Sequence, residues 1–180
     1  MKLPAFLIKD LYEKVLVNIP DNKEQKTKNQ VEKKANSIIS ENVTEKSIIK
    51  YLGENKKNIL IIVEQQTVVY LNEEDLSFLT NILKACKLNL ADIALLNFSN
   101  HPITYTNLQD ELEPVTILLF GLAPNAIKLP FDIPAFQIKK HGDCKIMTAP
   151  PLIELNLPTD ASKILKSKLW VSLQDLFTIK

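Results

Sequence analysis

The chain contains no arginine: all 22 basic residues are lysine, set against 21 aspartates and glutamates for a formal net charge of +1. Bidentate guanidinium forks, the usual grip on phosphates and guanine edges, are therefore excluded. Lysine still binds phosphate as a point charge, and an AT-rich genome biases codons toward it. The absence thus lowers the expectation of direct nucleic-acid binding without abolishing it, and a charge near zero supplies no field to draw DNA or an anionic membrane. Glycine is nearly as scarce. With only Gly53, Gly121 and Gly142, no Gly-rich phosphate loop of either common type can be written. The two cysteines, Cys86 and Cys144, have neither the number nor the spacing of a disulfide scaffold or a zinc site, and read as small core residues. No apolar stretch approaches the roughly 18 residues needed to cross a bilayer. Asp10 and Glu13 stand where a signal peptide needs an uninterrupted apolar run. The expectation is a cytoplasmic protein without membrane association, metal or cofactor.

What is present is apolar patterning, at 46% hydrophobic content over 180 residues, enough for the core of one domain. The run Val115-Thr-Ile-Leu-Leu-Phe120 ends on Gly121 and lacks the alternation of a half-buried strand, so it predicts the central strand of a parallel sheet covered on both faces. Ile59-Leu-Ile-Ile-Val63 predicts a first buried strand and residues 93–98 another. Between them, Asn72 precedes Glu73-Glu74-Asp75, an N-cap with carboxylates in the first helical turn. Leu76, Leu79, Ile82, Leu83 and Cys86 form the stripe of that helix. Residues 105–112 predict a short helix, and 134–140 with 144–148 a hairpin about His141-Gly-Asp143. A final helix over 161–177 is marked by Ile164, Leu165, Leu169, Trp170, Leu173 and Phe177, all read as packing on the sheet. Residues 45–52 predict a short helix with Gly53 as its left-handed cap. The whole is an α/β protein: a three-layer α/β/α domain over 56–180 with a mainly parallel four-stranded sheet, preceded by an extension over 1–55. Within that extension Leu3, Phe6, Leu7, Leu11 and Val15 recur at helical spacing, and a charged linker follows over 20–36.

Ligand sites of open α/β sheets lie beyond the carboxyl ends of the strands, which nominates the loops 64–72, 97–106, 121–125 and 148–157. Their polar inventory is thin. Glu64, directly after the first strand, is either an active carboxylate or a solvated strand-end group. His101 is the only histidine on this side, with no carboxylate or second ligand in view, so a structural role competes with catalysis. Gln65, Asn97, Gly121, Pro150 and Pro151 complete the pocket candidates. The prolines stiffen the loop Thr148-Ala-Pro-Pro-Leu-Ile-Glu154, which serves either to position a ligand or as a rigid exit into the last helix. His141 belongs to the hairpin tip at the other end of the sheet.

Three segments carry a family resemblance. They are Leu83-Lys-Ala-Cys-Lys-Leu-Asn-Leu-Ala-Asp-Ile-Ala-Leu-Leu-Asn97, Ile117-Leu-Leu-Phe-Gly-Leu-Ala123, and Ile146-Met-Thr-Ala-Pro-Pro-Leu-Ile-Glu-Leu155 with the later pairs Leu169-Trp170 and Asp175-Leu176. In order and spacing they resemble the uracil-DNA glycosylase-like superfamily over residues 58–177. The segments are similar to its second strand, its third strand and turn, and its fourth strand, His-Pro-Ser loop and closing Trp-bearing helix. The departures fall on the chemistry. Val63-Glu-Gln-Gln-Thr67 has no glycine where the family's water- and uracil-binding loop would lie, leaving Glu64 as the one survivor. Ala149-Pro150-Pro151 lacks the histidine that would stabilise the departing uracil anion. The pattern is closer to a non-enzymatic branch of that fold, the psi subunits of bacterial DNA polymerase III. That resemblance implies an adapter in the clamp-loader complex, with an N-terminal segment that docks on a partner.

Three functional classes follow: a non-catalytic adapter, with clamp-loader subunits as partners; a diverged glycosylase or other nucleobase enzyme using Glu64 and His101; and a nucleotide- or small-ligand-binding domain without a reaction. A strand-end pocket holding Glu64 and His101 within reach of one another favours the second, and a crevice filled by side chains the first. The amphipathic stripe of Phe6, Leu7 and Leu11 has to be buried somewhere, in a groove of its own domain or on a partner.

Overall fold

The protein is described by a computed structural model over residues 49–179. The stripe of Phe6, Leu7 and Leu11 and the charged linker lie outside these residues. Three apolar runs predicted as buried strands are covered at all five positions. Each has a neighbour along both edges and packed chain over both faces, an environment that suits continuous aliphatic sequence. With three shorter or amphipathic partners they form one sheet. Its strands are β1 (Leu52–Gly53), β2 (Ile59–Val63), β3 (Ile93–Asn97), β4 (Thr116–Phe120), β5 (Ile138–His141) and β6 (Cys144–Ala149), in the order β1-β3-β2-β4-β6-β5. Strand β2 runs parallel to both β3 and β4, and β4 parallel to β6. Strands β1 and β5 close the two edges antiparallel. The sheet is therefore six-stranded and mixed, built on the four parallel strands expected. A two-residue edge strand has no periodicity to reveal it, and short edges leave little unpaired backbone.

Four helices are described: α1 (Glu73–Ala85), α2 (Tyr105–Leu112), α3 (Leu152–Asn156) and α4 (Asp160–Phe177). Asn72, Thr104 and Thr159 cap α1, α2 and α4, their side-chain oxygens accepting from backbone amides of the first turn. The pleat sorts the core by parity. Ile59, Ile61, Val63, Leu95, Leu118, Phe120 and Met147 face α1, α3 and α4. Leu60, Ile62, Ala94, Leu96, Ile117, Leu119 and Ile146 face α2 and the segment 122–133. Residues are thus packed over both faces, one layer of three helices and the other of one helix and a long connection.

Three expectations are corrected. The helix over 45–52 does not reach Gly53: residues 49–51 are irregular and Leu52–Gly53 is strand β1. Gly53 has φ +110°, and a Cβ there would overlap the carbonyl oxygens of Ile93 and Leu90. The glycine serves close backbone approach between β1 and β3 rather than a helix cap. Second, the loop 148–157 is not all loop, because Leu152–Asn156 winds into α3 behind Pro151. Third, Ile164 and Trp170 are not core: they are 59% and 36% exposed, whereas Leu169, Leu173 and Leu176 carry the buried arc of α4. Trp170 follows Leu169 by one residue, about 100° around the helix, which turns it off the sheet.

The contact at Gly53 can be weighed against Gly142, which has φ +61° but open space where a Cβ would lie. Gly142→Ala should cost about 1 kcal/mol for the left-handed backbone alone. Gly53→Ala should cost about 3 kcal/mol or more, since strain and overlap add. Urea unfolding of both variants checks this, and equal costs would remove the close approach.

Candidate functional site

Strand order locates the place where such a sheet binds ligands. From β2 the chain passes through α1 to β3 on one side, then returns through α2 to β4 on the other side of β2. The connections thus diverge between β2 and β4, and the crevice at the carboxyl ends of these two strands is the expected site. The cavity there, lined among others by Val63, Glu64, Gln65, Phe120, Pro151 and Leu152, measures about 20 Å³. That is close to the room of a single water molecule.

Two nominated residues close it. Gly121 adopts φ +72°, and a Cβ on it would sit 3.0 Å from Cγ and 3.2 Å from Cβ of Pro151. The glycine therefore lets the Pro151 ring pack directly on the end of β4. Behind that ring Leu152 is buried as the first residue of α3. Pro150 is half-buried between β6 and this contact.

Asn97 and Gln65, nominated as ligand contacts, hold the loop instead. Asn97 is buried at the end of β3. Its amide nitrogen donates to the carbonyls of Gln65 (2.7 Å) and Val68 (3.0 Å). Its oxygen accepts from the amides of Gln65 (3.1 Å) and Ser99 (3.2 Å). Gln65 reaches onward: Nε2 donates to the Asp75 carboxylate, and Oε1 accepts from the Asn72 amide at 3.2 Å. Asn72 Nδ2 donates to the same carboxylate oxygen at 3.0 Å. Asp75, read in sequence only as a favourable first-turn charge, is thus a buried acceptor that ties the loop to α1. Its signal was the Asn72-x-x-Asp75 spacing, which places both side chains at one helix start.

Glu64 is exposed on the rim of the crevice. His101 is half-buried on the next loop, its backbone amide donating to the Asn97 carbonyl at 3.2 Å, and it does not line the crevice. The ion pairs of the described residues do not include either side chain. The acid–histidine pair that a nucleobase enzyme would need at this point is not assembled.

Other reactive groups lie elsewhere. Cys86 and Cys144 are both free and buried; burial pushes the Cys144 thiol up to about 12 and that of Cys86 upward as well, so neither offers a thiolate at neutral pH. His141, at the opposite end of the sheet, packs its ring 5.1 Å from those of both Tyr105 and Phe131. Burial, and then the neighbouring Cys144, raise the Tyr105 phenol. Among the described residues there is no cluster of three or more metal-ligating side chains, and no helix long and apolar enough to cross a membrane. Compared with models of known protein families the sequence matches none, and no curated protein matches it.

Asn97→Ala would leave the amides of Gln65 and Ser99 and the carbonyl of Gln65 without their partner, while the Val68 carbonyl keeps Asn100. We expect it to cost about 2–4 kcal/mol, at roughly 1–3 kcal/mol for each group that stays dry. Amide exchange at Gln65 and Ser99 should accelerate together. Gln66→Ala, at an exposed position, should leave both readings unchanged.

Proposed function

We propose that the chain is a non-catalytic interaction protein on a glycosylase-like α/β domain, an adapter of the kind represented by the psi subunits of bacterial DNA polymerase III. Clamp-loader subunits are the proposed partners, and the N-terminal stripe of Phe6, Leu7 and Leu11 is the proposed docking element. One observation carries the reading: the crevice where this sheet would bind a substrate measures about 20 Å³, and Pro151 of its lining packs on Gly121 at the end of β4. A base needs a pocket that can enclose it, and this one has no such volume. Of the polar side chains nominated for it, Asn97 is committed to backbone and Gln65, which lines the cavity, to Asp75 and the Asn72 amide. The resemblance in segment order supports the same choice, because its two departures fall on the glycosylase water loop and on the electrophilic histidine. Removing such groups costs orders of magnitude in transition-state stabilisation.

The test has two arms. Purified protein incubated with uracil-containing single- and double-stranded DNA should release no uracil above buffer. Affinity capture from the native cell extract should recover clamp-loader subunits, identified by mass spectrometry. Turnover clearly above buffer overturns the adapter reading, and capture without clamp-loader subunits removes the assignment of partner.

A further inference from the structure

An apolar groove lies on the helical layer, away from the strand ends. It runs between α1 and α4, where Phe78, Ile82 and Ala85 face Lys166, Leu169 and Trp170, and it encloses about 270 Å³. On each helix the lining residues recur at i, i+3, i+4 and i+7, so the groove is two helical turns long, about 10 Å. This volume is below the roughly 300–1,000 Å³ of sites that enclose small molecules. An open slot of such length suits side chains projecting from another helix.

Charge selects the occupant. Lys166 is the one charged side chain of the lining, half-buried, with its ammonium 5.3 Å from the centre of the Phe78 ring. Among the described residues it joins no ion pair. Glu74 stands one turn before Phe78 on α1 and does not line the groove. We propose that the groove receives a short amphipathic helix of a protein partner, apolar at i, i+3 or i+4 and i+7, with an aspartate or glutamate set against Lys166. The proposal rests on the interaction-protein reading and gives that reading a surface and a partner chemistry.

The chain's single tryptophan is Trp170, so the groove carries its own fluorophore. The probes are three designed helical peptides of about four turns, with identical leucine anchors and glutamate, glutamine or lysine at the position facing Lys166. Titrated into the full chain, the glutamate peptide should shift Trp170 emission saturably with a micromolar Kd. The glutamine peptide should bind up to about five-fold more weakly, the range of an exposed ion pair, and the lysine peptide more weakly still. Lys166→Glu should reverse this order, and Ile82→Ser should weaken all three, with circular dichroism confirming that both variants are folded. Emission unmoved by every peptide overturns the proposal, as does an order that Lys166→Glu leaves unchanged. Self-association in sedimentation that Ile82→Ser abolishes would assign the groove to a second copy and also overturn it. Failure of these peptides leaves the assay for uracil release untouched, so loss of the groove and loss of the adapter reading are separable results.

Discussion

Buried backbone that leaves a β-sheet has to find hydrogen-bond partners, and in this protein a single amide side chain supplies them at the critical place. Asn97 ends β3 fully enclosed, and its two donors and its oxygen meet backbone groups of Gln65, Val68 and Ser99. The loop from β2 to α1 is therefore held against the sheet instead of standing off it. Asn100 reinforces it from outside by donating to the carbonyls of Val68 and Val69. Once the loop is fixed, Gln65 is placed to reach Asp75, and the start of α1 is fixed in turn. On the other side of the crevice the same closure is reached by packing, with the Pro151 ring on Gly121. Polar satisfaction and van der Waals contact converge on one result: the carboxyl end of the sheet is occupied by the protein itself.

That outcome separates fold from function. A doubly covered sheet whose connections diverge between β2 and β4 has a predisposition to bind ligands there, and the predisposition is geometric, independent of side chains. Here Val63, Phe120 and Leu152 fill the space with apolar groups. On the helical layer, α1 and α4 bury Leu79, Leu83, Leu169 and Leu173 beneath them but leave Phe78 and Trp170 at the surface, where the proposed groove lies.

The four parallel strands and the Asn72 cap were legible because each has a local cause. Aliphatic runs such as Ile59-Leu-Ile-Ile-Val63 need cover on both faces, and Asn72 ahead of three acidic residues needs a helix to cap. The edge strand β1 was hidden, since two residues have no period and Gly53 fits a helix cap equally well until the carbonyls of Ile93 and Leu90 beside it are known. Trp170 was misread for a related reason: a stripe at helical spacing shows that a helix has an apolar face, but its centre is set by what lies beneath it. The ends of the buried strands were legible, and the side-chain contacts made beyond them were not. A glycine after a strand signals freedom of φ, and nothing local to Gly121 says that a proline thirty positions later would use that freedom.

A strand-end crevice filled by the protein's own side chains should take no ligand, and two-dimensional amide NMR on the intact chain tests this. Uracil, thymine and deoxynucleoside monophosphates would be titrated to about 5 mM, well past the roughly 1 mM at which even weak recognition is measurable. No saturable shift is expected at the amides of Glu64, Gln65, Gly121 and Leu152. Saturable shifts confined to these four positions would show an open, occupied site and contradict it.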